Sequence, residues 1–303
     1  MSAVELPLRD SALRVAVLGT GIMGGAMATR AAAAGLAVRG WSVPLADAER
    51  LVPAGVAVAQ TAADAAAGAD VVVTMAPDAE AIESFATGPD GFLAVMSPHA
   101  VWVQSATVGV APADRLIALA AEHGVAVVDA PVLGSRGPAE RGELVILASG
   151  ENAAIDHCEP YLHAIARRIL RVGPVGSGSR LKMVTNTWIV GAVATLAETM
   201  ALAEALGLDG QLFTSALDGT ELDMGYAHTK VQMMLLREYP AQMTLASIAK
   251  DARLAHEAAR DGNLPAHLVG AATQLVASAL ALRGGGEDMA AMFEAARLTT
   301  ALA

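Results

Sequence analysis

Short apolar runs alternate with helical patterns along the first half of the chain. Uninterrupted apolar runs of this length are typical of strands that are buried on both faces of a parallel sheet. We place these strands at residues 13–18, 36–41, 71–75, 100–104 and 125–129. The segments between them are rich in helix-forming residues. The alternation of strand and helix predicts an α/β fold with a doubly wound parallel sheet.

The pattern changes after a turn-rich segment at residues 173–178, which reads Gly-Pro-Val-Gly-Ser-Gly. Beyond this segment the apolar positions follow a helical period, and we see no convincing strand. The predicted helices span residues 179–206, 211–218, 225–237, 245–261, 266–283 and 288–298. We therefore predict a doubly wound domain at residues 13–176 and an all-helical domain at residues 177–303, after a loose leader at residues 1–12.

The composition agrees with a large helical core and argues against one class of partner. Hydrophobic residues make up 54% of the 303 residues, whereas aromatic residues make up 3%. Because alanine dominates the apolar share, closely packed helices are favoured over a strand-rich sandwich. The net charge is -11, and lysine and arginine form no cluster in the sequence. We therefore expect no nucleic-acid partner.

Features that the sequence lacks narrow its location and its chemistry. Cys158 is the only cysteine, which excludes an intramolecular disulfide and fits a reducing compartment. Residues 1–14 lack the segments of a signal peptide, and the longest apolar stretch, at residues 188–197, is too short to span a membrane. The histidines are scattered and form no metal-like cluster. We expect a cytoplasmic protein without a membrane partner or a metal site.

Three glycines stand between the first predicted strand and the first predicted helix. Gly19 permits a tight turn, Gly21 lets a pyrophosphate approach the backbone, and Gly24 allows close packing of the helix on the strand. Phosphates at this position meet backbone N–H groups and the positive end of the helix dipole. A merely structural turn is the alternative, but the strand–turn–helix context favours dinucleotide binding in a Rossmann-type domain. The predicted cofactor contacts here are Gly19, Gly21, Ile22, Met23 and Gly24.

The end of the second predicted strand leaves the choice of nicotinamide cofactor open. An acidic side chain at this point binds the ribose hydroxyls of NAD, whereas an arginine holds the 2′-phosphate of NADP. The chain has Trp41, Ser42, Val43 and Pro44 here, so neither type occurs. Ser42 can hydrogen-bond to a ribose or a phosphate oxygen and is therefore a candidate contact to either cofactor.

Lys182 is the strongest candidate for chemistry on a carbonyl group. Hydride transfer to a carbonyl builds negative charge on the oxygen, so the site needs a proton donor or a cation there. Lys182 lies early in the long predicted helix, where it can project into a cleft between domains. Asn186 shares its helix face and can orient the ammonium or bind a substrate hydroxyl. Partial burial would lower the pKa of Lys182, and a solvated surface charge is the alternative.

Further positions have both a functional and a structural interpretation. Asp129 closes an apolar strand, and we favour a strand-end cap or turn for its carboxylate. Residues 134–137 can offer backbone N–H groups to an anion, because glycine lets a ligand approach the main chain. From the residues alone, Tyr226 is interpreted as a packed residue and His228 as a surface residue.

Five ordered motifs resemble those of one enzyme family. The glycine turn continues into Met27-Ala28, and residues 74–78 read Thr-Met-Ala-Pro-Asp. Residues 129–135 read Asp-Ala-Pro-Val-Leu-Gly-Ser, and residues 138–142 read Pro-Ala-Glu-Arg-Gly. Gly-Ser-Gly at 176–178 is followed by Lys182 and Asn186, and Lys250-Asp251 stands late in the helical half. Over nearly its whole length the chain resembles the β-hydroxyacid dehydrogenases, which include 3-hydroxyisobutyrate dehydrogenase and glyoxylate/succinic semialdehyde reductases.

The resemblance implies a role for each matching residue in an enzyme with a small-molecule substrate. Lys182 would be the catalytic general acid and base, with Asn186 as its companion. The implied further cofactor contacts are Met75, Ala76 and Pro77 under the adenosine ribose, Thr107 beside the nicotinamide, and Lys250. The implied substrate contacts are Val132, Leu133, Gly134, Ser135 and Tyr226, together with Lys182 and Asn186. The resemblance also implies a homodimer or homotetramer assembled through the helical domain.

Four positions depart from the family pattern. Val43 stands where an arginine often serves the 2′-phosphate, so NAD and NADP both stay open. Leu133 replaces a serine of the substrate motif and adds apolar bulk. Ala106 and Gln104 replace a common serine and a common aspartate before Thr107. The last three departures weaken the expectation of the usual small hydroxyacid as substrate.

Three functions are compatible with these residues. The first is reversible reduction of a small aldehyde or ketone acid with NAD or NADP, which the retained Lys182 and Asn186 favour. The second is imine reduction on the same fold. Imine reductases usually carry Asp or Tyr where Lys182 stands, whereas Leu133 mildly favours a less acidic substrate. The third is a non-catalytic nucleotide-binding module, against which the retained lysine argues.

Overall fold

The computed structural model describes residues 12–297 of the chain. Residues 1–11 of the predicted leader, and Leu298 at the end of the last predicted helix, lie outside the described residues. The chain divides into two compact units, Met1–Lys182 and Met183–Ala303. The division falls in the second turn of a helix that begins at Ser177. The predicted boundary, between residues 176 and 177, lies at the start of that helix.

Strands and helices alternate through the described part of the first unit. The strands are β1 (Arg14–Leu18), β2 (Ala37–Trp41), β3 (Ala57–Val58), β4 (Val71–Thr74), β5 (Val101–Gln104), β6 (Ala126–Asp129), β7 (Val132–Leu133), β8 (Leu144–Ser149) and β9 (Ala166–Gly173). The α-helices are α1 (Ile22–Ala33), α2 (Ala46–Glu49), α3 (Ala62–Ala66), α4 (Ala79–Ala86), α5 (Val110–Glu122), α6 (Arg136–Arg141) and α7 (Asn152–Ile165). Short 3₁₀ helices span Val52–Ala54 and Leu93–Val95. The five strands predicted from apolar runs are confirmed, each to within one residue at either end.

The strands form one sheet in the order β3-β2-β1-β4-β5-β6-β8-β7, with β9 paired to β8. The strands from β1 to β6 pair in parallel. Since β2 lies on one side of β1 and β4 on the other, the strand order reverses at β1. In open α/β sheets ligands bind beyond the carboxyl ends of the strands at such a switch point. The register places Thr74 opposite Gln104, and Gln104 opposite Asp129, so these three residues end neighbouring strands at one level.

The far end of the sheet differs from the predicted all-parallel arrangement. β8 runs antiparallel to β6 and β7, and β9 runs parallel to β8. The apolar run of β8 carries no mark of strand direction, and β7 has only two residues. Arg167, Arg168 and Arg171 are exposed on β9, so its composition hides the strand. An antiparallel strand at the edge of a mostly parallel sheet is a common arrangement.

Both faces of the sheet are covered by helices. Val15 and Val17 of β1 belong to a core that contains side chains of α1 and α7. Ala16 and Leu18 of the same strand belong to a second core, with side chains of α3, α4 and α5. Successive side chains of a strand point to opposite faces, so a strand buried on both faces must be apolar throughout. The doubly wound fold is thereby confirmed.

The second unit is helical. Its helices are the greater part of α8 (Ser177–Ala205), then α9 (Gln211–Leu217), α10 (Gly225–Leu236), α11 (Leu245–Asp261), α12 (His267–Arg283), the 3₁₀ helix Met289–Ala291 and α13 (Met292–Ala296). The predicted helices are confirmed, except that the last begins as a 3₁₀ turn in which Asp288 accepts a bond from the backbone N–H of Ala290. The core of this unit is rich in alanine, methionine and valine.

By length and apolar composition alone, α8 is the one described helix that could cross a membrane. Val190, Val193 and Ala197 on this helix are buried in the core of the second unit. The core helix of a soluble protein passes the same test.

Candidate active site

The glycine turn between β1 and α1 has the geometry that a bound pyrophosphate requires. Gly19 has φ +93°, and a Cβ atom there would lie 2.2 Å from the carbonyl oxygen of Met75. A Cβ on Gly24 would lie 1.9 Å from the carbonyl oxygen of Gly19. Around Gly21, in contrast, nothing lies within 4 Å of such an atom. Gly19 and Gly24 therefore hold the turn closed, and Gly21 leaves open space beside the backbone.

The start of α1 adds donors to this open space. Its N-cap is Gly21, and no side chain caps the first turn. The first N–H groups of a helix have no partner within the helix, so they are available to an anion. α1 starts directly after β1, where the strand order of the sheet reverses. The residues present thus fit the diphosphate of a dinucleotide.

The end of β2 is tied to the glycine turn. The backbone N–H of Thr20 donates to Ser42 Oγ at 3.2 Å, and Gly19 donates to the carbonyl oxygen of Trp41 at 2.8 Å. Ser42 is buried, and Val43 after it is 73% exposed. Ser42, predicted to contact the cofactor, is therefore also a support of the turn that would hold the diphosphate.

Arg50 is the one cation within residues 42–50, and its guanidinium is engaged. It donates to the carbonyl oxygen of Thr20 at 2.8 Å and lies 3.2 Å from the carboxylate of Asp47. This side chain therefore stabilises the glycine turn. The segment that follows β2 presents an apolar side chain at Val43 and acidic side chains at Asp47 and Glu49.

Gln104 holds the loop that carries Thr107. Its Nε2 donates to the carbonyl oxygen of Ala106 at 2.8 Å, and its Oε1 accepts the backbone N–H of Ala106 at 2.9 Å. Gln104 is buried, and Thr74 Oγ1 also donates to Oε1 at 3.3 Å. Gln104 and Ala106 are therefore parts of the support beneath Thr107. Their effect on the substrate stays a prediction.

The first turn of α8 is attached to the carboxyl end of β6. Asp129 Oδ2 accepts the backbone N–H of Ser179 at 2.8 Å, and Oδ1 accepts the Ser179 hydroxyl at 2.7 Å. The hydroxyl of Ser149 donates to the same carboxylate at 3.2 Å. Burial raises the pKa of Asp129 above its ordinary value, and these hydrogen bonds oppose the rise. The favoured interpretation of Asp129 as a cap agrees with this geometry, and the helix that it caps lies 50 residues further along the chain.

Lys182 lies one turn further along α8, and its side chain meets the predicted substrate motif. The residue is 7% exposed, and Nζ donates to the carbonyl oxygen of Val132 at 2.9 Å. The solvated surface charge considered for Lys182 is therefore wrong. Its ammonium instead lies beside the main chain of the motif that begins at Val132.

The rest of the motif turns sharply away from β7. Gly134 has φ +129°, and a Cβ there would lie 2.7 Å from the side chain of Leu144 and 3.3 Å from that of Pro138. Leu133 is half-buried, and Ser135 precedes α6 without a side-chain hydrogen bond to its first turn. Only glycine fits at position 134 without a shift of its neighbours. The predicted substrate contacts 132–135 thus lie on one short segment that Lys182 touches at Val132.

In the second unit, the amide of Asn186 is held by a carboxylate. Asn186 Nδ2 donates to Asp251 Oδ2 at 3.0 Å, and both residues are buried. Lys250 Nζ lies 3.2 Å from Asp251 Oδ1, and the Lys250 side chain is 27% exposed. This contact is an ion pair. The Lys-Asp motif therefore supplies one residue that orients Asn186 and one partly exposed cation.

Tyr226 and His228 have partners within the helical unit. The Tyr226 hydroxyl donates to the sulfur of Met289 at 3.4 Å, and burial raises the pKa of this phenol. His228 Nε2 lies 2.5 Å from Asp223 Oδ1 on the surface. The His228 contact agrees with a surface position, whereas Tyr226 is 39% exposed, so its ring is packed only in part. Tyr226 as a substrate contact stays a prediction.

The sequence interpretation did not identify four of these side chains as supports of the site: Gln104, Ser149, Ser179 and Asp251. Each acts on a partner that is distant along the chain or hidden in a loop, so no local pattern marks it. Only the Lys-Asp motif drew attention to Asp251, without its partner. Among the described residues, no group of three or more His, Cys, Asp and Glu side chains could hold a metal ion.

Comparison with known families identifies both halves of the chain. A family described as the NAD binding domain of 6-phosphogluconate dehydrogenase matches residues 14–173. A family described as the NAD-binding domain of NADP-dependent 3-hydroxyisobutyrate dehydrogenase matches residues 176–296. The glycine turn and Lys182 fall in the first and second match, respectively.

Individual relatives agree with these matches. The NAD-dependent L-serine dehydrogenase of Pseudomonas aeruginosa is 30% identical over 254 residues, which cover 82% of this chain and 85% of the relative. A probable 3-hydroxyisobutyrate dehydrogenase of Mycobacterium tuberculosis is 33% identical over 215 residues, 71% of this chain and 72% of the relative. A solved structure of 3-hydroxyisobutyrate dehydrogenase from Mycobacterium tuberculosis with L-serine superposes with a TM-score of 0.86 at 29% identity, covering 95% of this chain and 100% of that one.

Proposed function

This chain belongs to the β-hydroxyacid dehydrogenase family, and on that premise we propose that it interconverts a small β-hydroxyacid and its semialdehyde or keto acid. It is an oxidoreductase that uses a nicotinamide cofactor and a small-molecule substrate. In this proposal Lys182 is the general acid in reduction and the general base in oxidation. Substrates of the 3-hydroxyisobutyrate type or the glyoxylate and succinic semialdehyde type are the candidates.

The contact between Lys182 and Val132 carries the proposal. A buried ammonium needs partners, and here one of them is the main chain of the segment that the family uses for substrate. An ammonium in this position lies where a carbonyl oxygen bound to that segment would accumulate charge. General acid catalysis of this kind contributes about 100-fold to 10,000-fold to a rate.

The chain's own residues divide the work as follows. A bound nicotinamide supplies or accepts the hydride. Lys182 Nζ delivers the proton to the substrate oxygen in reduction and removes it in oxidation. Asn186 offers its amide to a substrate hydroxyl, and the main chain around Gly134 and Ser135 offers N–H groups to the carboxylate. Thr107, on the loop that Gln104 holds, lines the nicotinamide.

Imine reduction is the second candidate, and Leu133 favours it. This side chain is half-buried in the motif where the family usually has serine. A pocket that gains apolar surface and loses a hydroxyl binds a carboxylate less well. The presence of Lys182 favours carbonyl reduction over imine reduction.

Steady-state rates on matched substrates test the proposal. We would measure glyoxylate, succinic semialdehyde, methylmalonate semialdehyde and one cyclic imine with NADH and with NADPH. We expect the highest kcat/KM for a semialdehyde and a loss of about 100-fold or more in kcat for Lys182→Ala, with cofactor binding retained. Arg180→Ala, on the same helix, is the control and should keep the wild-type rate. A Lys182→Ala variant with the wild-type rate, or turnover of the imine alone, would overturn the assignment.

The end of β2 also supports a preference for NAD over NADP. Val43 is exposed where an arginine would meet a 2′-phosphate, and Arg50 is already bonded to Thr20 and Asp47. The nearby carboxylates of Asp47 and Glu49 repel a phosphate dianion. One of the relatives is named as an NAD-dependent enzyme.

Val43→Arg tests this preference. The variant should raise kcat/KM for NADPH by about tenfold or more, because an arginine–phosphate hydrogen bond is worth about 1.5–3 kcal/mol. Val43→Met, which adds length without charge, is the matched control. It should leave the ratio of kcat/KM for NADPH to kcat/KM for NADH unchanged. A wild-type enzyme that prefers NADPH would contradict the proposal.

We also propose a homodimer or homotetramer that assembles through the helical unit. Five leucines at the end of α8, in the connection that follows it, in α9 and at the end of α10 are each more than half exposed: Leu202, Leu206, Leu208, Leu212 and Leu236. A concentration of exposed leucines is typical of a protein–protein contact. Light scattering should give a molar mass of two or four times the 30.7 kDa of the chain. A monomeric mass would contradict the proposal.

A further inference from the structure

The first turn of α8 has an acceptor for each of its N–H groups. Ser177 donates to the carbonyl oxygen of Pro174 at 3.0 Å, and Arg180 donates to that of Gly176 at 3.3 Å. Gly178 donates to Ser149 Oγ at 2.9 Å. Ser179 donates to Asp129 Oδ2 at 2.8 Å. Helix starts usually leave such donors to water or to a local cap. Here two of the four acceptors are side chains from the ends of β6 and β8.

Asp129 is the charged member of this arrangement. It is 1% exposed, and its carboxylate accepts from both the backbone and the hydroxyl of Ser179 and from the hydroxyl of Ser149. A carboxylate at a helix N-terminus is attracted by the helix dipole. The single proton of the Ser149 hydroxyl is shared between this carboxylate and the carbonyl oxygen of Asp129, 3.1 Å away, so the hydroxyl links the two strand ends.

Steric contact reinforces these bonds. A Cβ on Gly178 would lie 2.3 Å from the carbonyl oxygen of Leu147 and 2.8 Å from that of Asp129. The helix start is therefore in direct contact with the backbone of β6 and β8. The side chain of Pro131 lies 3.1 Å from the same point, so the helix start packs against the segment that follows β6.

The same segment holds α8 at a second place. Asp129 bonds Ser179, and Val132, three residues after Asp129, accepts from Lys182 Nζ at 2.9 Å. Ser179 and Lys182 are likewise three residues apart and lie on one helix face. Residues 129–132 and 179–182 thus form a pair of matched attachments, one at the helix backbone and one at the tip of the lysine.

We propose that Asp129 is a positioning residue, which fixes α8 so that the Lys182 ammonium stays at the main chain of the substrate motif. This inference rests on the proposed role of Lys182 as general acid and base. The carboxylate itself contacts neither substrate nor cofactor. Loss of its bonds lets the helix start shift, and a shift of about 1 Å at a reacting group can lower a rate about 100-fold.

An ordinary helix cap would stabilise the fold without this specific effect, so the test must separate the two roles. Asp129→Ala removes every bond of the carboxylate. Asp129→Asn keeps an oxygen for the Ser179 N–H and an amide for the hydroxyls, but removes the charge. Ser179→Ala removes the 2.7 Å hydroxyl bond alone. Asp114→Ala is the matched control, because Asp114 pairs with Arg180 on the same turn of α8 but at the exposed surface.

We expect Asp129→Ala to lower kcat about 100-fold, with the KM for cofactor changed less than about twofold. Asp129→Asn should recover kcat to within about threefold of wild type, and Asp114→Ala should not change it. Ser179→Ala should lower kcat by less than Asp129→Ala and by more than Asp114→Ala. If Asp129→Ala does not fold, the contrast between Ser179→Ala and Asp114→Ala carries the test. Equal kcat in Ser179→Ala, Asp114→Ala and wild type would overturn the proposal, as would an Asp129→Asn variant no better than Asp129→Ala.

The Lys182→Ala background separates this inference from the proposed function. If Asp129 acts through Lys182, Asp129→Ala should change the residual rate of Lys182→Ala less than about threefold, because the group to be positioned is already gone. A further loss as large as in the wild type would show that Asp129 acts independently and would overturn the inference. A wild-type rate in Lys182→Ala alone would contradict the proposed function itself.

Discussion

The side-chain amide of Asn186 donates to the carboxylate of Asp251 at 3.0 Å, and this bond decides which way the amide faces. With Nδ2 engaged, the oxygen Oδ1 is the atom left to accept a hydrogen bond. Oδ1 is buried and has no hydrogen-bond partner among the described residues. A buried acceptor without a partner costs about 1–3 kcal/mol, so it marks a place where a ligand donor gains affinity. We infer that Oδ1 accepts a substrate hydroxyl.

Asp251→Ala should therefore reduce activity by releasing the Asn186 amide. We expect a fall of about tenfold in kcat/KM for substrate, because the bond from the substrate hydroxyl to Asn186 Oδ1 joins two neutral groups and is worth at most about 1.5 kcal/mol. The affinity for cofactor should stay within about twofold, which fluorescence titration can measure. Asp251→Asn, which can still accept the bond from Nδ2, should lose less. Equal losses in the two variants would show that the bond to Asn186 does not matter for substrate.

The glycine turn offers a pair of substitutions with opposite expected effects. Gly24→Ala places Cβ 1.9 Å from the carbonyl oxygen of Gly19, so the turn must distort and the protein should be strongly destabilised. Gly21→Ala meets nothing within 4 Å, so the variant should fold with nearly the wild-type melting temperature. Its methyl group nevertheless occupies the space beside the backbone, and dinucleotide affinity should fall at least about tenfold. Thermal unfolding and cofactor titration on both variants check this, and tight binding by Gly21→Ala would refute the site.

The raised pKa of Asp129 predicts how stability varies with pH. Because burial raises the pKa above the ordinary 3.8, the folded state binds more protons here than the unfolded state between that value and the folded pKa. The contribution of Asp129 to the free energy of unfolding therefore falls as pH rises through this window. Asp129→Asn has no such dependence.

The comparison of wild type with Asp129→Asn isolates the contribution of the Asp129 carboxyl to the pH dependence of stability. The free energy of unfolding of wild type minus that of Asp129→Asn should be larger at about pH 4.5 than at about pH 8, as measured by urea unfolding. A difference that is constant, or that grows with pH, would show that the hydrogen bonds from Ser179 and Ser149 outweigh burial.

The helical unit contains a fully buried ion pair, and removal of one of its partners should strongly lower the free energy of unfolding. Lys230 Nζ lies 2.6 Å from Asp288 Oδ1, and both side chains are inaccessible to solvent. Asp288 also accepts the backbone N–H groups of Gln242 and Met243 and so joins three parts of the unit. Removal of one partner from such a pair costs about 3–5 kcal/mol, because the other charge stays buried.

Lys230→Met should show this loss in urea unfolding, with near-normal activity at temperatures where the protein is folded. The control is Arg253→Met, which removes an exposed pair with Glu257 at 2.8 Å and should cost less than about 1 kcal/mol. Similar losses in the two variants would mean that the buried pair contributes no more than a surface pair.

Local patterns in the sequence were sufficient for most of the fold. The apolar runs of β1, β2, β4, β5 and β6 are bounded by turn residues, and the helices after residue 177 have clear periods and end signals. The antiparallel β8 was not predictable, because an apolar run such as Leu144–Ser149 carries no information on direction. The arginines of β9 hid a strand whose exposed position tolerates charge.

The candidate site divides in a similar way. Residues that are predicted to meet a ligand, such as Gly21 and Lys182, belong to short motifs that chemistry explains locally. The residues that hold such side chains in place do not belong to short motifs. Asp251 bonds a residue 65 positions earlier, and Asp129 caps a helix 50 positions later. Gln104 is visible in the sequence as a departure from the family pattern, whereas its two hydrogen bonds to Ala106 are not. Support of this kind becomes visible only when the chain is folded.

The most direct test of the account follows the hydride itself. Reduced cofactor in which both hydrogens at C4 of the nicotinamide are deuterium is incubated with a semialdehyde and either the wild-type enzyme or Lys182→Ala. The hydroxyacid product is analysed by mass spectrometry. We expect one deuterium on the product carbon with the wild-type enzyme. We expect Lys182→Ala to form product at least about 100-fold more slowly, although that variant binds cofactor as tightly. A wild-type protein that binds the cofactor yet transfers no deuterium to any semialdehyde, or a variant that transfers it at the same rate, would contradict the account.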